Sequence, residues 1–339
     1  MDIAASMRIA YIIPGFDEGG AEVHVLNLIR ELSGRHEITL ISCGGRLESE
    51  LPENVNIIHL PVERKNLFTG IYCALKLIGF SRKYQWDIIH VHSRVPAWIA
   101  WLASSGVKAK WLMTAHALYS LNAGLIPLRH ADGAICISPA VRNHLAEYLP
   151  AKNVIIPNGI IPSRLKYANF THDAAKFLFV GRLTRLKGLD VALKALEWLK
   201  GYIWTLDVVG DGPQRQELEA LSQSLGLNER VTFHGARGKH EVEEFMAKSS
   251  CLLFPSYSEG MGLVVLEALS VGLPVIASDL EALHELAEDG LVPIGDAGAW
   301  REAIRDFLTA KKASPLNPES ITTVKDMACL TEKFYLSYF

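Results

Sequence analysis

Short apolar segments alternate with longer amphipathic segments along most of the chain. The short segments are rich in valine and isoleucine, which is typical of strands buried on both faces of a parallel sheet. The longer segments have the hydrophobic spacing of helices. The predicted strands of the first half are residues 8–14, 37–42, 55–60, 86–91, 110–115, 133–137 and 153–157. Those of the second half are residues 176–181, 203–209, 230–234, 250–254 and 273–277.

This alternation predicts an α/β protein built from βαβ units, and a length of 339 residues allows two domains. We predict two doubly wound, Rossmann-like domains, residues 1–165 and residues 166–317. A linker is expected between Pro157 and Ala175, where two prolines and polar residues interrupt the periodicity. Residues 318–339 are predicted to form one terminal helix. Ligands of such folds bind at the C-terminal edges of the strands.

The segment 255–277 predicts a loop, a helix and a strand, with two carboxylates placed unusually. Glu259 lies in the loop and Glu267 about one turn into the helix, too far along to cap it. Gly260 and Gly262 let backbone N–H groups reach a ligand at the helix N-terminus, which favours negative charge. Because ionised carboxylates accept hydrogen bonds, they suit the hydroxyls of a polyol. Phosphate beside a polyol indicates a sugar nucleotide.

This segment resembles the glutamate–seven-residues–glutamate signature of retaining glycosyltransferases of the GT-B fold, in particular glycosyltransferase family 4, also described as glycosyl transferases group 1. The resemblance covers nearly the whole chain, from about Arg8 onwards. Four other segments match the family pattern in the same order: Gly19–Glu22, Ile156–Gly159, Gly181–Gly188 and Val209–Pro213.

The resemblance implies two Rossmann-like domains that face each other across a cleft, with a last helix that crosses back to the first domain. It implies transfer of a sugar from a UDP-, GDP- or ADP-sugar to a hydroxyl of a saccharide or lipid-linked acceptor, with retention of configuration. The implied catalytic residues are His116, Arg182, Lys187 and Glu259. The implied nucleotide-sugar residues are Gly19, Gly20, Arg182, Lys187, Glu259, Gly260, Met261, Gly262, Leu263 and Glu267.

Each of these residues also has an ordinary structural interpretation. Arg182 and Lys187 offer a planar fork and a point charge to phosphate oxygens, but lysines and arginines are usually solvated surface cations. The family pattern selects them and does not select Arg185. Gly19 and Gly20 would let the backbone approach the donor, or they form a plain strand-to-helix turn in which Glu22 favours the helix dipole.

Three histidines follow or lie in predicted strands. His116 matches the family histidine that contacts the donor sugar, and its alternative is a hydrogen-bonded core histidine. His90 and His92 lie on the same side of a strand and could form a metal pair, but the sequence shows no third ligand. Packing is the better interpretation of His90, while His92 is placed on the acceptor side. Asn158 is predicted first as a turn residue.

Composition excludes several other classes. The net charge of −3 gives no reason to expect a nucleic-acid partner. The five scattered cysteines favour reduced thiols in a cytoplasmic protein, and no spacing predicts a zinc site. We expect neither a signal peptide nor a spanning helix. Because the sequence contains no Asp-x-Asp motif to hold a metal-bound diphosphate, we expect a metal-independent enzyme without a cofactor.

The segment 62–84 could contact a second partner, a membrane surface. Its apolar residues Leu67, Ile71, Leu75 and Ile78 recur at helical spacing. Its basic residues are Arg64, Lys65, Lys76, Arg82 and Lys83. One interpretation is peripheral docking on the inner face of an anionic membrane, with Trp98, Trp101 and Trp111 as anchors. The other is a helix that covers the first sheet, with its basic residues solvated and the tryptophans in the core.

Two other functions would use the same donor site. A sugar-nucleotide epimerase or hydrolase of this fold would release an isomer or a free sugar without an acceptor. A non-catalytic sugar-nucleotide-binding protein would bind tightly without turnover. An NAD-linked oxidoreductase is not expected, because the Gly-x-Gly-x-x-Gly fingerprint followed by an acidic residue is missing from the sequence.

Overall fold

A computed structural model describes residues 6–17, 19–167, 174–287, 290–310 and 321–339. The chain divides into two compact units: Met1–Gly159 with Thr322–Phe339, and Ile160–Ile321. The division therefore comes before the predicted boundary at residue 165. Residues 168–173 of the predicted linker and 318–320 of the predicted terminal helix lie outside the described residues.

The first unit contains a parallel sheet in the order β3-β2-β1-β4-β5-β6-β7. Its strands are β1 (Arg8–Ile12), β2 (Glu37–Ser42), β3 (Asn56–His59), β4 (Ile88–Val91), β5 (Lys110–Ala115), β6 (Gly133–Cys136) and β7 (Asn153–Ile155). Its helices are α1 (Gly20–Leu32), α2 (Leu67–Tyr84), α3 (Arg94–Ala103), α4 (Pro139–His144) and α10 (Val324–Leu336). The strand order reverses between β1 and β4, so the loops after these strands diverge and leave a crevice typical of ligand sites.

The last helix belongs to the core of the first unit. Residues of α10, including Met327 and Tyr335, pack with α1 and with the buried side chains of β1. The Tyr335 hydroxyl donates a hydrogen bond to the Tyr11 hydroxyl at 3.2 Å. Because both tyrosines are fully buried, this bond satisfies polar groups that would otherwise oppose burial.

The second unit contains a parallel sheet in the order β10-β9-β8-β11-β12. Its strands are β8 (Ala175–Val180), β9 (Trp204–Val209), β10 (Val231–Gly235), β11 (Cys251–Phe254) and β12 (Val275–Ala277). Its helices are α5 (Leu189–Glu197), α6 (Arg215–Ser224), α7 (Lys239–Lys248), α8 (Leu263–Val271) and α9 (Ala297–Ala310). Phe177 and Phe179 belong to the core on one face of β8, whereas Leu178 belongs to the core on the other face.

Helix α2 does not use its apolar stripe to cover the sheet. Its buried residues are Cys73, Ala74, Leu77 and Ser81. Leu67, Phe68 and Leu75 are 70%, 82% and 65% exposed. Leu67 and Leu75 therefore do not face the interior, and α2 packs with its opposite side, in contact with α3.

The tryptophans and cysteines are mostly internal. Trp111 is buried in β5, so it is not a membrane anchor. The Trp98 Nε1–H donates to the carbonyl oxygen of Gly124 at 3.2 Å, and Trp101 stacks on His130. All five cysteines are free thiols, of which Cys43 and Cys329 are exposed. Among the described residues, no helix has the length and apolar character needed to cross a membrane.

Candidate functional site

The loops after β8 and β11 meet at the C-terminal edge of the second sheet, where these two strands are neighbours. The Tyr257 N–H donates to the carbonyl oxygen of Leu186 at 2.8 Å. Gly188 has a φ of +64°, and a Cβ there would collide with the carbonyl oxygen of Pro255. Only glycine fits this position without strain, because L-residues rarely adopt this conformation and the backbones touch. The predicted phosphate loop and the glutamate segment are therefore packed against each other.

The loop after β9 supports the phosphate loop from the other side. The N–H of Leu183 donates to the carbonyl oxygen of Asp211 at 2.9 Å. Gly210 has a φ of +138°, and a Cβ there would collide with the carbonyl oxygen of Gly181. The glycines of Val209–Pro213 thus have a positioning role, and the carboxylate of Asp211 pairs with Arg215 at 2.9 Å.

Lys187 and Glu259 form the central ion pair of this edge. The Lys187 Nζ lies 2.6 Å from the Glu259 Oε1, and the Ser256 hydroxyl donates to the same oxygen at 2.8 Å. Their side chains are 26% and 14% exposed. Water screens such a pair less than it screens a surface pair, so the pair holds both side chains in place. The structure brings together the two residues that the sequence assigned to phosphate and to sugar hydroxyls.

Arg182 lies on the same loop and is exposed. Within the part of the chain that the structure describes, its guanidinium has no hydrogen-bond or ion-pair partner. Arg185 is also exposed and begins a short 3₁₀ turn that ends at Lys187. Arg185 lines a groove of about 600 Å³ that Lys194 and Tyr257 also line. The planar fork of Arg182 is thus free to accept an anion.

Helix α8 begins directly after the glutamate loop. Its N-cap is Gly262, whose φ is +73° and which provides no side-chain cap. Gly260 and Met261 precede it and are half-buried, and Leu263 is the first helical residue. The positive end of the helix dipole and its first N–H groups therefore lie beside the Lys187–Glu259 pair, as an anion site requires.

Glu267 lies one turn further along α8 and is half-buried. Burial raises the pKa of this carboxyl; Lys239 opposes the rise and Glu243 adds to it. A buried carboxylate without a full set of hydrogen bonds is costly, and hydroxyl donors of a ligand would relieve that cost. This environment is compatible with a carboxylate that accepts hydrogen bonds from the hydroxyls of a polyol.

The first unit has its own polar cluster at the C-terminal edge of its sheet. His24 in α1, His92 after β4 and His116 after β5 each offer a ligand nitrogen, and these nitrogens lie within 4.8 Å of one another. The His92 Nδ1 and the His116 Nε2 are 3.0 Å apart. This is the only group of at least three possible metal ligands found among the described residues. The sequence did not predict it, because the three residues come from separate elements.

Burial keeps these imidazoles neutral. It lowers the pKa of His24 to about 4, although a hydrogen bond with Asn158 opposes the change. Burial also lowers the pKa of His116 well below the usual value, and His24 and His90 lower it further. The pKa of His92 is lowered in the same way by burial and by the neighbouring histidines. Near neutral pH, these rings can both donate and accept hydrogen bonds.

His90 differs from its neighbours because both of its ring nitrogens are bonded. Its Nδ1 lies 2.5 Å from the Tyr335 hydroxyl and its Nε2 lies 2.7 Å from the Thr114 hydroxyl. The ring is fully buried. These contacts support the packing interpretation of His90.

Gly19 is the N-cap of α1, in an extended conformation and without a capping side chain. Gly20 is the first residue of α1. A Cβ at Gly19 would meet only the flexible carboxylate of Glu22. The local backbone therefore does not demand glycine at position 19, and a donor role for Gly19 and Gly20 stays a prediction.

Two contributors were missed by the sequence analysis. Ser256 orients Glu259, and His24 completes the histidine cluster. His24 could have been found from its place in the first turns of a helix that starts at a strand's C-terminal edge, where His92 and His116 also lie. Ser256 carries no comparable signal, because serine is common in loops.

Comparison with known proteins supports the same class. A model of Glycosyltransferase Family 4 matches residues 18–164, and a model of glycosyl transferases group 1 matches residues 165–317. Phosphatidyl-myo-inositol mannosyltransferase of Mycobacterium leprae is 28% identical over 335 residues, which cover 88% of this chain and 86% of that protein.

Two solved structures share the fold. Sucrose-phosphate synthase from Thermosynechococcus elongatus has a TM-score of 0.83 and 24% identity, with 98% of this chain and 99% of that chain covered. The Anabaena protein HepE, in complex with UDP and glucose, has a TM-score of 0.83 and 18% identity, with 98% and 100% covered.

The two parallel-sheet units, the two family models and the solved neighbours identify a glycosyltransferase of the GT-B fold that uses a nucleotide-sugar donor. The chain belongs to glycosyltransferase family 4.

Proposed function

We propose that the second unit binds the diphosphate of the donor at the edge formed by Arg182, Lys187 and the N-terminus of α8. The observation that carries this proposal is the 2.6 Å pair of Lys187 with Glu259 beside an uncapped helix start. Cations held there before the substrate arrives stabilise the negative charge that develops on the leaving diphosphate. Arg182 supplies the second cation, as a planar fork.

The two glutamates bind the hydroxyl groups of the donor. Glu267 accepts hydrogen bonds from the ribose hydroxyls, and Glu259 accepts them from the sugar. Residues 260–263 support the phosphate or sugar through backbone N–H groups. A UDP donor is favoured by the complex of HepE with UDP and glucose, while GDP and ADP donors stay open. The sugar is transferred with retention of configuration, as the family resemblance implies.

The donor roles of His116, Gly19 and Gly20 rest on the resemblance alone. His116 would orient the donor sugar through a neutral imidazole. We propose no metal ion at the diphosphate, because Arg182, Lys187 and the dipole of α8 provide positive charge there and the sequence contains no Asp-x-Asp motif.

The acceptor is a hydroxyl of a saccharide or a lipid-linked saccharide, and helix α2 favours the lipid-linked alternative. At about 100° per residue, the exposed side chains span an arc of about 140° opposite the buried side of the helix. Those side chains are Leu67, Phe68, Ile71, Tyr72 and Leu75. Lys76, Arg82 and Lys83 are exposed on the same helix, and Arg64 and Lys65 just before it. An apolar arc with basic neighbours suits the surface of an anionic membrane.

A relative also favours a lipid acceptor, since the Mycobacterium leprae protein is named for phosphatidyl-myo-inositol. Docking of this kind would place the chain at the cytoplasmic face of a membrane.

Product analysis by proton NMR tests the proposed activity against its alternatives. The protein is incubated with UDP-, GDP- and ADP-sugars, with and without saccharide acceptors. We expect nucleoside diphosphate and a new glycoside, of the same anomeric configuration as the donor, only when an acceptor is present. Free sugar or an isomerised donor without acceptor would establish a hydrolase or epimerase instead, and tight binding without turnover would establish a binding protein.

Sedimentation with vesicles tests the docking surface. We expect binding to vesicles that contain anionic lipid at low salt, and loss of that binding in high salt. Phe68→Ser with Leu75→Ser should weaken it, as should replacement of Arg64, Lys65, Arg82 and Lys83 by serine. Ile203→Ser is the matched control, because Ile203 is 71% exposed in the second unit. If all variants sediment equally, or if the wild-type protein does not sediment with vesicles at low salt, α2 is not a docking surface. The acceptor would then be a soluble saccharide.

A further inference from the structure

The three histidines of the first unit form a site that the proposed transfer does not use as a group. His24, His92 and His116 come from three different elements of one unit, so the fold of that unit fixes their spacing. Their ligand nitrogens lie within 4.8 Å of one another. Two nitrogens bound to one tetrahedral Zn²⁺ at about 2.0–2.1 Å lie about 3.3 Å apart. The nitrogens of the cluster would therefore have to move closer together when they bind one ion.

Each ring keeps a nitrogen that the rest of the described protein does not use. The Nε2 atoms of His24 and His92 and the Nδ1 of His116 are buried without a hydrogen-bond partner among the described residues. Buried polar atoms are normally bonded, so three unbonded nitrogens in one cluster are unusual. The remaining nitrogens of His92 and His116 lie 3.0 Å apart and bond to each other, so a metal ion would replace that bond. His24 and His92 are 4% and 2% exposed, which makes water a poor substitute partner for them.

Asn158 orients His24 in the way that outer partners orient metal-bound histidines. The His24 Nδ1 lies 2.7 Å from the Asn158 Oδ1. Because a carbonyl oxygen only accepts, the Nδ1 carries the proton, and the Nε2 therefore keeps its lone pair. Metal-binding histidines usually donate their second ring N–H to a carboxylate or a carbonyl in this manner.

His90 lies next to this cluster, but it does not have an unbonded ring nitrogen. Its ring centroid is 4.2 Å from that of His92, yet both of its nitrogens are bonded, to Tyr335 and Thr114. The fold thus bonds both nitrogens of His90, whereas one ring nitrogen of each of the other three histidines has no partner among the described residues.

We propose that His24, His92 and His116 bind one divalent transition-metal ion that prefers nitrogen ligands, such as Zn²⁺. Imidazole suits Zn²⁺, Cu²⁺, Ni²⁺ and Co²⁺, whereas Mg²⁺ and Ca²⁺ require oxygen ligands. Three protein ligands leave a fourth tetrahedral position for water or another small ligand. The proposed ligands of this ion belong to the first unit, whereas the proposed cations for the donor diphosphate belong to the second unit.

Occupation of the site has two consequences. The ion binds the folded unit and not the unfolded chain, so it raises the Tm by mass action. It also takes the lone pair of His116, so it inhibits transfer; this second consequence rests on the proposed donor role of His116. Metal binding itself is independent of that role.

The test is a titration of the chelator-treated full-length chain with Co²⁺, followed by visible absorption, and with Zn²⁺ in competition with a chromophoric chelator. We expect one equivalent to bind with the intense absorption of four-coordinate Co²⁺. His24→Gln, His92→Gln and His116→Gln should each abolish that spectrum. Asn158→Ala keeps all three ligands and should weaken Zn²⁺ binding by about 10–100-fold. His240→Gln is the matched control, since its side chain is 81% exposed on α7.

The proposal is overturned if the wild-type chain gives no four-coordinate Co²⁺ spectrum, or if the spectrum persists in the ligand variants. Circular dichroism of the metal-free variants checks their folding. His116→Gln, at a partly exposed position, keeps the test valid if the two buried variants unfold. The titration needs no sugar donor, so its failure would leave the proposed transferase untouched. Failure of the transferase assay would equally leave metal binding measurable.

Discussion

At the scale of residues, Lys187 pairs with Glu259, and we propose that Lys187 binds the donor diphosphate. The pair keeps the lysine beside the start of α8 and prevents the carboxylate from being buried without a partner. A diphosphate would compete with Glu259 for the ammonium group. Glu259 would then be released to accept hydrogen bonds from sugar hydroxyls, so donor binding would couple the two groups.

Arg182→Ala should lower turnover by a factor of about 100 or more, as removal of one preorganised donor to a developing charge does. The guanidinium has no partner in the described protein, so the substitution removes no structural contact. Steady-state kinetics measure the effect. Arg185→Ala, on the same loop and equally solvent-facing, is the control and should retain most of the activity. A wild-type rate for Arg182→Ala would exclude it from the site.

Glu267→Gln should weaken donor binding about tenfold, since charge-assisted hydrogen bonds are roughly twice as strong as neutral ones. The same change should raise the Tm at pH 7. Because burial raises the pKa of Glu267, the folded protein holds this proton more tightly than the unfolded chain does. The stability that this gives is present at low pH and is lost as the pH rises through the raised pKa.

The difference in Tm between Glu267→Gln and wild type should therefore shrink as the pH falls towards the usual range of a glutamic acid. Differential scanning calorimetry across that range measures it. A difference that stays constant with pH would show that the Glu267 carboxylate carries no burial cost.

At the scale of elements, the loop after β8 depends on one backbone conformation. Gly188→Ala should lower the free energy of unfolding by about 1–3 kcal/mol, the usual cost of a strained φ. It should also reduce turnover, because the collision with Pro255 displaces the turn that carries Lys187. Gly201→Ala is the matched control, since a Cβ there meets nothing within 4 Å. Thermal melts and steady-state kinetics of both variants measure these effects. If Gly188→Ala and Gly201→Ala changed stability and turnover equally, the close packing of the loops after β8 and β11 would be refuted.

The strands could be predicted from the sequence because each is a short apolar run between loop residues. Every predicted strand has an observed counterpart in one of the two sheets. The loops after β8 and β11 could also be identified as candidate binding loops, because the glycines and charged residues of each loop are close together in the sequence. The close packing at Gly188 and Gly210 could not, because it depends on which strands become neighbours.

Two features show where periodicity fails. The spacing of Leu67, Ile71 and Leu75 predicts a helix correctly but does not say which side of the helix is buried. In α2 the side with Cys73 and Leu77 is buried. The histidine cluster was missed for a related reason: His24 is distant in sequence from His92 and His116, and only the sheet order brings α1, β4 and β5 together.

For the whole molecule, transfer should not become slower in excess EDTA. Fixed cations of the second unit would neutralise the diphosphate, so neither Mg²⁺ nor Mn²⁺ should be needed. The rate of product formation with and without EDTA measures this. Loss of activity in EDTA with recovery on adding Mn²⁺ or Mg²⁺ would mean that a metal ion holds the diphosphate.

The donor site itself is tested most directly by calorimetric titration of the protein with UDP, GDP and ADP in the presence of EDTA. We expect at least one of these nucleoside diphosphates to bind with a stoichiometry of one per chain, and the Arg182→Ala variant to bind it at least about tenfold more weakly, as expected for loss of a charge-assisted contact. Binding of none of the three to the wild-type chain, or equal affinity in the variant, would contradict a diphosphate site at this edge of the second sheet.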